Sequence, residues 1–354
     1  MSPYFIENGI LLFGGIVGAG IFALPFALKQ GGVLVFSLGL IVISVLMFAV
    51  NRMYRHVIDT VDERHQLIGY VTHILGKPTG MLVLFLDLFS LFGALLAYLI
   101  IGGEFLSKIT LSSSENMSFL FYGVAAILLL FAGKLLRGLD ILFTILKGVL
   151  LVCITGIGVY LLFTNGVPKI DLIGSNPLAA YGAILFACTG FSIVPELFKD
   201  RQMSRSLLLG QGSVAFLYGA FAIALAGLVS GETFNGLNGL AMVIFNLAGV
   251  STVFAPYLIL SWVVYDIFNK DLGIAKRDSL ILVVSVPLLL FLLGFHSFSA
   301  VISLSGGVFI GGIVIIITRM YMKAFPGKHV LWNYLIQAVF VVGILIEFYQ
   351  FFLR

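Results

Sequence analysis

Apolar residues run along this chain in long blocks that short polar segments separate. Each block is close to the roughly 20 residues that an α-helix needs to cross the hydrocarbon core of a bilayer. The pattern therefore predicts eleven membrane-spanning helices, numbered here as spans 1 to 11. Their approximate ranges are 6–28, 33–53, 80–107, 117–133, 139–163, 178–198, 206–230, 243–268, 279–295, 297–320 and 330–352.

The first span is rich in residues that interrupt helices. Residues 14–25 contain four glycines and end on Pro25, and both residue types disfavour an unbroken helix. Open backbone at membrane depth is tolerated only where it is buried in protein or lines a cavity. We therefore predict two half-helices joined by open backbone at 17–20. The carbonyls and amides left at such a break suit a cation and an anion, the two charges of an amino acid zwitterion.

Span 6 carries a matching interruption. Gly190 precedes Pro195 by the same interval that separates Gly20 from Pro25. Spans 1 and 6 open successive groups of five, and an odd number of spans gives the second group inverted topology. Interrupted helices at matching positions of inverted repeats indicate a substrate site near the membrane midplane. We expect one transporter domain over 1–354, with repeats at about 6–163 and 178–320 and an extra helix at about 330–352.

The basic residues give an orientation. With the N-terminus in the cytoplasm, fifteen of the 20 Lys and Arg residues fall in inside loops, four outside, and Lys147 falls within span 5. This bias predicts a multi-pass protein of the cell (cytoplasmic or inner) membrane with an extracytoplasmic C-terminus. In the first inside loop, 66–75 has apolar residues at helical spacing. It is either a helix along the membrane surface or a solvated loop.

Composition narrows the class of protein. The chain is 60% hydrophobic and 10% charged with mean hydropathy +1.14, which excludes a soluble domain. Loop charges account for the net charge of +4, so no nucleic acid partner is expected. Cys153 and Cys188 both lie in apolar spans, which argues against a disulfide framework or a zinc site. No phosphate-binding loop or nucleophile elbow is found, so we expect neither enzymatic activity nor a cofactor or metal.

Several segments resemble amino acid permeases of the amino acid–polyamine–organocation superfamily, above all the amino acid/auxin and aromatic amino acid permease branches. Residues 18–25 (GAGIFALP) resemble the first-helix motif, and 186–196 (FACTGFSIVPE) the sixth-helix region. The resemblance extends over nearly the whole chain. It implies an all-α integral membrane protein with a LeuT-type 5+5 inverted repeat, broken helices 1 and 6, and eleven transmembrane helices. It also implies secondary transport of amino acids, with the substrate and the lipid bilayer as partners; the oligomeric state stays open.

The candidate substrate-binding residues flank the two breaks or lie on span 3, which faces the central site in this fold. Tyr98 is either a ligand of the substrate carboxylate or a packed core tyrosine. Phe22 and Phe191 either shape a side-chain pocket or belong to the core. No intramembrane charge is placed to pair with a charged side chain, so we expect a neutral, bulky or aromatic substrate. The candidate residues are Val17, Gly18, Ala19, Gly20, Ile21, Phe22, Tyr98, Cys188, Thr189, Gly190 and Phe191.

Two charged residues are candidates for coupling. Lys147 resembles the helix 5 lysine that takes the place of a sodium ion in some proton-coupled relatives; the alternative is a lysine that snorkels to the surface. Ala255 and Pro256 stand where relatives often have a sodium-binding Thr-Ser pair, which favours protons, although Ser251 and Thr252 keep sodium open. Glu196 is either a coupling carboxylate or an ion-pair partner of Lys199 or Arg201.

Two other functions remain open at this stage. One is a sodium-coupled amino acid transporter. The other is an amino acid sensor that binds without transport, like the nutrient-receptor subunits of spore germination, which share the fold.

Overall fold

The computed structural model describes residues 4–18, 20–61, 65–137, 140–166, 169–198, 202–230, 233–234, 237 and 239–353; side chains at 131–147, 165, 230, 233, 271, 352 and 353 lie outside that description. The described chain is almost entirely helical. Its α-helices are α1 (Tyr4–Ile16), α2 (Gly20–Gly31), α3 (Val33–Ile58), α4 (Leu67–Leu75), α5 (Lys77–Thr110), α6 (Ser114–Arg137), α7 (Asp140–Asn165), α8 (Ala180–Cys188), α9 (Met203–Ala226), α10 (Gly239–Asp266), α11 (Lys276–Leu292), α12 (Phe298–Leu304), α13 (Gly311–Ala324) and α14 (Val330–Leu353).

Every predicted span coincides with a helix or with adjoining helical segments. Span 1 is α1 and α2, and span 6 is α8 followed by a 3₁₀ helix, Phe191–Glu196. Span 10 consists of α12 and α13, joined by a π-helical turn at Ser305–Ile310. In the described ranges, seven segments are long and apolar enough to cross a membrane, and the bent pair α1 and α2 makes an eighth. The prediction of an all-α integral membrane protein is confirmed.

The structure corrects one boundary and decides one alternative. Span 7 ends at Ala226 rather than at 230, because Val229–Ser230 pairs with Thr233–Phe234 in a short antiparallel hairpin. The Glu104 carboxylate accepts a hydrogen bond of 3.1 Å from the Phe234 N–H and anchors this hairpin. Segment 66–75 is the helix α4 rather than an irregular loop.

The chain divides into two compact units, which interleave along the sequence. The first unit comprises Met1–Ser90, Ile170–Ala222 and Ile302–Arg354. In it, α2 and α3 both pack on α8, and α13 packs against α3, α4 and α14. Close approach needs small residues here, because a Cβ on Gly306 would overlap the carbonyl oxygen of Gly182. Both predicted helix breaks belong to this unit.

The second unit comprises Leu91–Lys169 and Ile223–Val301. Its central helix is α10, which packs against α6, α7 and α11. Phe105, Phe234 and Phe245 form an aromatic cluster with ring centroids 5.8 to 6.1 Å apart. The hairpin thus packs on its own unit through Phe234.

Candidate functional site

The first break lies between α1 and α2, whose axes differ in direction by 68°. Val17 and Gly18 are non-helical, and Ala19 lies outside the described residues. The Val17 N–H still bonds to the Phe13 carbonyl at 3.0 Å, so α1 closes its last turn before the chain turns. Gly20, Ile21 and Phe22 are already helical, so the open stretch is shorter than the predicted 17–20.

The second break lies between α8 and the 3₁₀ helix Phe191–Glu196. Thr189 is extended (φ −74°, ψ 130°) and Gly190 has φ −143° and ψ 10°. Cys188 is the last residue of α8, so the non-helical stretch of this break consists of Thr189 and Gly190. The Thr189 hydroxyl donates to the Leu185 carbonyl at 2.7 Å, which satisfies one of the acceptors left at the end of α8.

The two breaks face each other, and glycines make the approach possible. A Cβ on Gly20 would lie 2.8 Å from Cα of Ala187 in α8. A Cβ on Gly190 would lie 2.5 Å from Cγ1 of Ile16 at the end of α1. Real Cβ atoms do not approach so closely. At Gly20 the neighbour is backbone, so any larger residue there would push the two broken spans apart, whereas at Gly190 the neighbour is a side chain that would have to shift. Gly20 and Gly190, both candidate substrate-binding residues, therefore also allow the two breaks to approach each other.

Tyr218 of α9 hydrogen-bonds to both breaks at once. Its side chain is fully buried, and its hydroxyl shares its proton between the carbonyl of Ile16 and the carbonyl of Ala187, at 3.1 Å each. Carbonyls near the end of a helix lack partners within the helix and must find them elsewhere. One side chain therefore satisfies acceptors from both broken helices.

A second set of polar side chains supports the end of α8. Gln211, two turns before Tyr218 on α9, donates from Nε2 to the Cys188 carbonyl at 3.2 Å. Nδ2 of Asn51 on α3 donates to Oε1 of the Gln211 side chain at 3.4 Å. The Ser44 hydroxyl lies 3.6 Å from Sγ of Cys188. Cys188 itself is fully buried, and its thiol packs between helices.

The segment after the second break is fastened at its far end. Asn8 of α1 is fully buried and makes two hydrogen bonds to the backbone of Phe198, donating to its carbonyl at 3.0 Å and accepting from its N–H at 2.9 Å. Arg55 of α3 donates to the Leu197 carbonyl at 2.8 Å. We call Asn8, Arg55 and residues 197–198 the latch. It ties α1 and α3 to the chain that leaves the second break.

Glu196 lies beside this latch. Its carboxylate accepts a hydrogen bond of 2.8 Å from Nε2 of Gln66, at the start of α4. Its predicted ion-pair partners Lys199 and Arg201 lie outside the described residues. Glu196 is solvent-exposed, whereas Asn8, Arg55 and Leu197 of the latch are buried.

The aromatic candidates are placed in the core of their units. Phe22 is fully buried and packs edge-to-face against Phe221 of α9, with centroids 5.6 Å apart. Phe191 is 4% exposed. Tyr98 is buried in the second unit, on α5. Lys147 belongs to α7, and its side chain lies outside the described residues.

Sequence analysis missed Tyr218, Gln211 and Asn51. Gln211 and Asn51 carried a signal, because amide side chains inside apolar spans generally face other helices rather than lipid, whereas Tyr218 did not stand out. Glu347 of α14 lies outside the two repeats, where a structural role is expected, and its buried carboxylate accepts a 3.0 Å hydrogen bond from the Gly182 N–H in the first turn of α8. A carboxylate at a helix N-terminus satisfies an unpaired amide and complements the helix dipole.

Comparisons with known proteins agree with this architecture. Residues 1–169 match the model of the tryptophan/tyrosine permease family. The crystal structure of MhsT in complex with L-phenylalanine aligns with a TM-score of 0.63 at 15% identity, over 97% of each chain. The Eremococcus coleocola manganese transporter, in complex with an aromatic bis-isothiourea substituted compound, aligns with a TM-score of 0.59 at 13% identity, over 97% of this chain and 85% of its own. No curated protein sequence matches the chain.

These structural neighbours are LeuT-fold transporters, so the predicted LeuT-type fold is confirmed. The match to a permease family model and the likeness to transporter structures indicate a transporter rather than an enzyme. Its first 169 residues are similar to the tryptophan/tyrosine permeases. The narrower assignment to a branch of the superfamily stays a prediction.

Proposed function

We propose that this chain is a secondary active transporter of a neutral amino acid with a bulky or aromatic side chain, and that it works by alternating access. The observation that carries the proposal is the pair of facing helix breaks, with Gly20 and Gly190 at their contact. Two comparisons support the substrate class. The matched family is named after tryptophan and tyrosine. MhsT, which has the same fold, was crystallised in complex with L-phenylalanine.

The backbone chemistry of the first break suits an amino acid. The first N–H groups of α2 point out of a helix N-terminus, which favours a carboxylate. The last carbonyls of α1 carry the opposite partial charge and favour an ammonium group. The Ile16 carbonyl already accepts from Tyr218, but a carbonyl oxygen has two lone pairs and can accept a second donor.

Protons are the proposed coupling ion, and Lys147 the proposed carrier. The proposal rests on the resemblance of Lys147 to the helix 5 lysine and on Ala255 and Pro256 in place of a hydroxyl pair. The Ser251 and Thr252 hydroxyls donate to carbonyls of their own helix at 2.9 and 2.7 Å. The proposed location is the cell membrane, with the N-terminus in the cytoplasm.

Uptake into proteoliposomes tests the proposal. We expect an imposed pH gradient to drive accumulation of labelled tryptophan, tyrosine or phenylalanine. Glutamate and lysine in excess should not compete. Preferential uptake of either charged amino acid would refute the substrate class, and a requirement for sodium would refute the coupling. Tight binding of an aromatic amino acid with no uptake under any gradient would identify a sensor instead.

A further inference from the structure

A basic cavity lies in the first unit where α3 ends and where α13 turns into α14. Two adjoining cavities of about 260 and 590 Å³ share His56, Tyr321 and His329 in their walls. Arg52 lines the first cavity and Lys328 the second. The transport proposal uses none of these side chains.

The charge of this cavity favours an anion. Arg52 and Lys328 are both solvent-exposed and supply two permanent positive charges. Asp59 also lines the wall, but its carboxylate lies 3.1 Å from Nη2 of Arg55, so an ion pair neutralises it. A guanidinium matches two oxygens of a phosphate at once, and an ammonium adds a mobile point charge. The cavity thus has the donors that a phosphate group requires.

The position of the cavity favours a lipid. The candidate span Val33–Ile58 ends at the cavity, and the candidate span Val330–Phe351 begins there. The cavity therefore lies at the level of the lipid headgroups. Trp332 lines the cavity and is 44% exposed, next to Leu331 at 75%. Tryptophan is enriched at this level of membrane proteins, where its apolar ring meets lipid and its N–H meets water. Cationic walls beside an exposed apolar helix face suit a molecule with an anionic head and acyl chains.

We propose that this cavity binds the phosphate headgroup of an anionic phospholipid, with Arg52 and Lys328 on the phosphate and the acyl chains along the exposed face of α14. Basic pockets between transmembrane helices hold anionic headgroups in this way. The site is independent of the two helix breaks.

Native mass spectrometry of the full chain tests the proposal. The chain is released from nanodiscs of phosphatidylglycerol and phosphatidylcholine, and retained lipids are counted. We expect selective retention of phosphatidylglycerol, and a loss of that preference by roughly tenfold in Arg52→Gln/Lys328→Gln. The matched control Lys276→Gln/Arg277→Gln removes the same charge at the exposed start of α11. It should retain phosphatidylglycerol like the parent chain.

Three results would overturn the proposal. Unchanged retention in the Arg52→Gln/Lys328→Gln variant would show that the cavity does not hold the lipid. An equal loss in the α11 control would show a general charge effect. Displacement of phosphatidylglycerol by inorganic phosphate as readily as by a short-chain phosphatidylglycerol would show a site for free phosphate. Because the exchanged side chains are exposed, a normal elution profile in detergent checks that each variant is folded.

Discussion

The hydroxyl of Tyr218 lies 3.1 Å from the carbonyl oxygen of Ile16, so a side chain of span 7 closes the end of the first half-helix of span 1. The same proton is shared with the Ala187 carbonyl, at an equal distance. One donor thus bonds to both broken spans. The contact is buried, so water does not replace it.

Tyr218→Phe should weaken both stability and substrate binding. Removing the hydroxyl leaves two buried carbonyls without this donor, which costs about 1–3 kcal/mol. We expect a lower unfolding temperature in detergent and a several-fold weaker affinity for the amino acid, measured on the same preparation.

The matched control is Tyr54→Phe. Tyr54 is equally buried in the same unit, but its hydroxyl has no hydrogen-bond partner among the described residues. Removing it should leave stability unchanged or raise it, since no bond is lost. If both variants behave alike, the Tyr218 contact does not support the breaks.

Gly20→Ala should separate the two broken spans. The added Cβ would lie 2.8 Å from Cα of Ala187, and backbone cannot rotate away as a side chain does. Overpacking of this kind costs about 1–3 kcal/mol, and we expect lower thermal stability together with weaker binding. Gly123→Ala is the control, because a Cβ on Gly123 of α6 meets no atom within 4 Å. A Gly20→Ala protein as stable as the Gly123→Ala protein would contradict the close approach.

The sequence was sufficient to predict the spans and the places where two of them break. The length of each apolar run predicts a span. The Gly and Pro residues in 14–25 and 186–196 disfavour a continuous helix at their own positions, so the breaks can be predicted locally. The partners of the broken ends were not predictable in the same way. Tyr218 is an ordinary residue in an apolar span, and only the packing of α9 on both breaks gives it two acceptors. The sequence left Phe22 open between a pocket wall and the core, and only the fold shows that its ring packs against Phe221.

Asn8→Ala should loosen the latch. It removes both hydrogen bonds to Phe198 and leaves the part-buried N–H and carbonyl of that residue without that partner. Cys188 is a native reporter of opening, because it is fully buried at the second break. In a Cys153→Ser background it is the only cysteine of the chain. We expect several-fold faster modification of Cys188 by a water-soluble maleimide.

Asn246→Ala controls for loss of a buried asparagine. Asn246 is 4% exposed and donates to the Met242 carbonyl of its own helix, in the second unit. The Asn246→Ala substitution should leave the labelling rate of Cys188 unchanged. Equal rates in the Asn8→Ala and parent proteins would mean that opening does not involve the latch.

Substitution of Lys147 tests proton coupling. Two variants distinguish the need for a positive charge at this position from the need for a side chain that releases a proton. Lys147→Arg keeps a positive charge, but a guanidinium does not release its proton at physiological pH. Lys147→Ala removes the charge as well. If the lysine carries the coupled proton, both variants should lose accumulation driven by a pH gradient. Lys147→Arg should still bind the substrate, because the site keeps its charge.

The decisive comparison is between binding and accumulation in the same proteoliposomes. Lys270→Ala is the control, because Lys270 pairs with Asp266 at 2.9 Å on an exposed helix end and should be dispensable. An exposed pair of this kind contributes about 0–1 kcal/mol to stability, so this variant should accumulate substrate like the parent. Normal accumulation by Lys147→Arg would exclude proton release from this side chain. If accumulation by the parent follows a sodium gradient and ignores pH, the hydroxyls of Ser251 and Thr252 become the residues to substitute next.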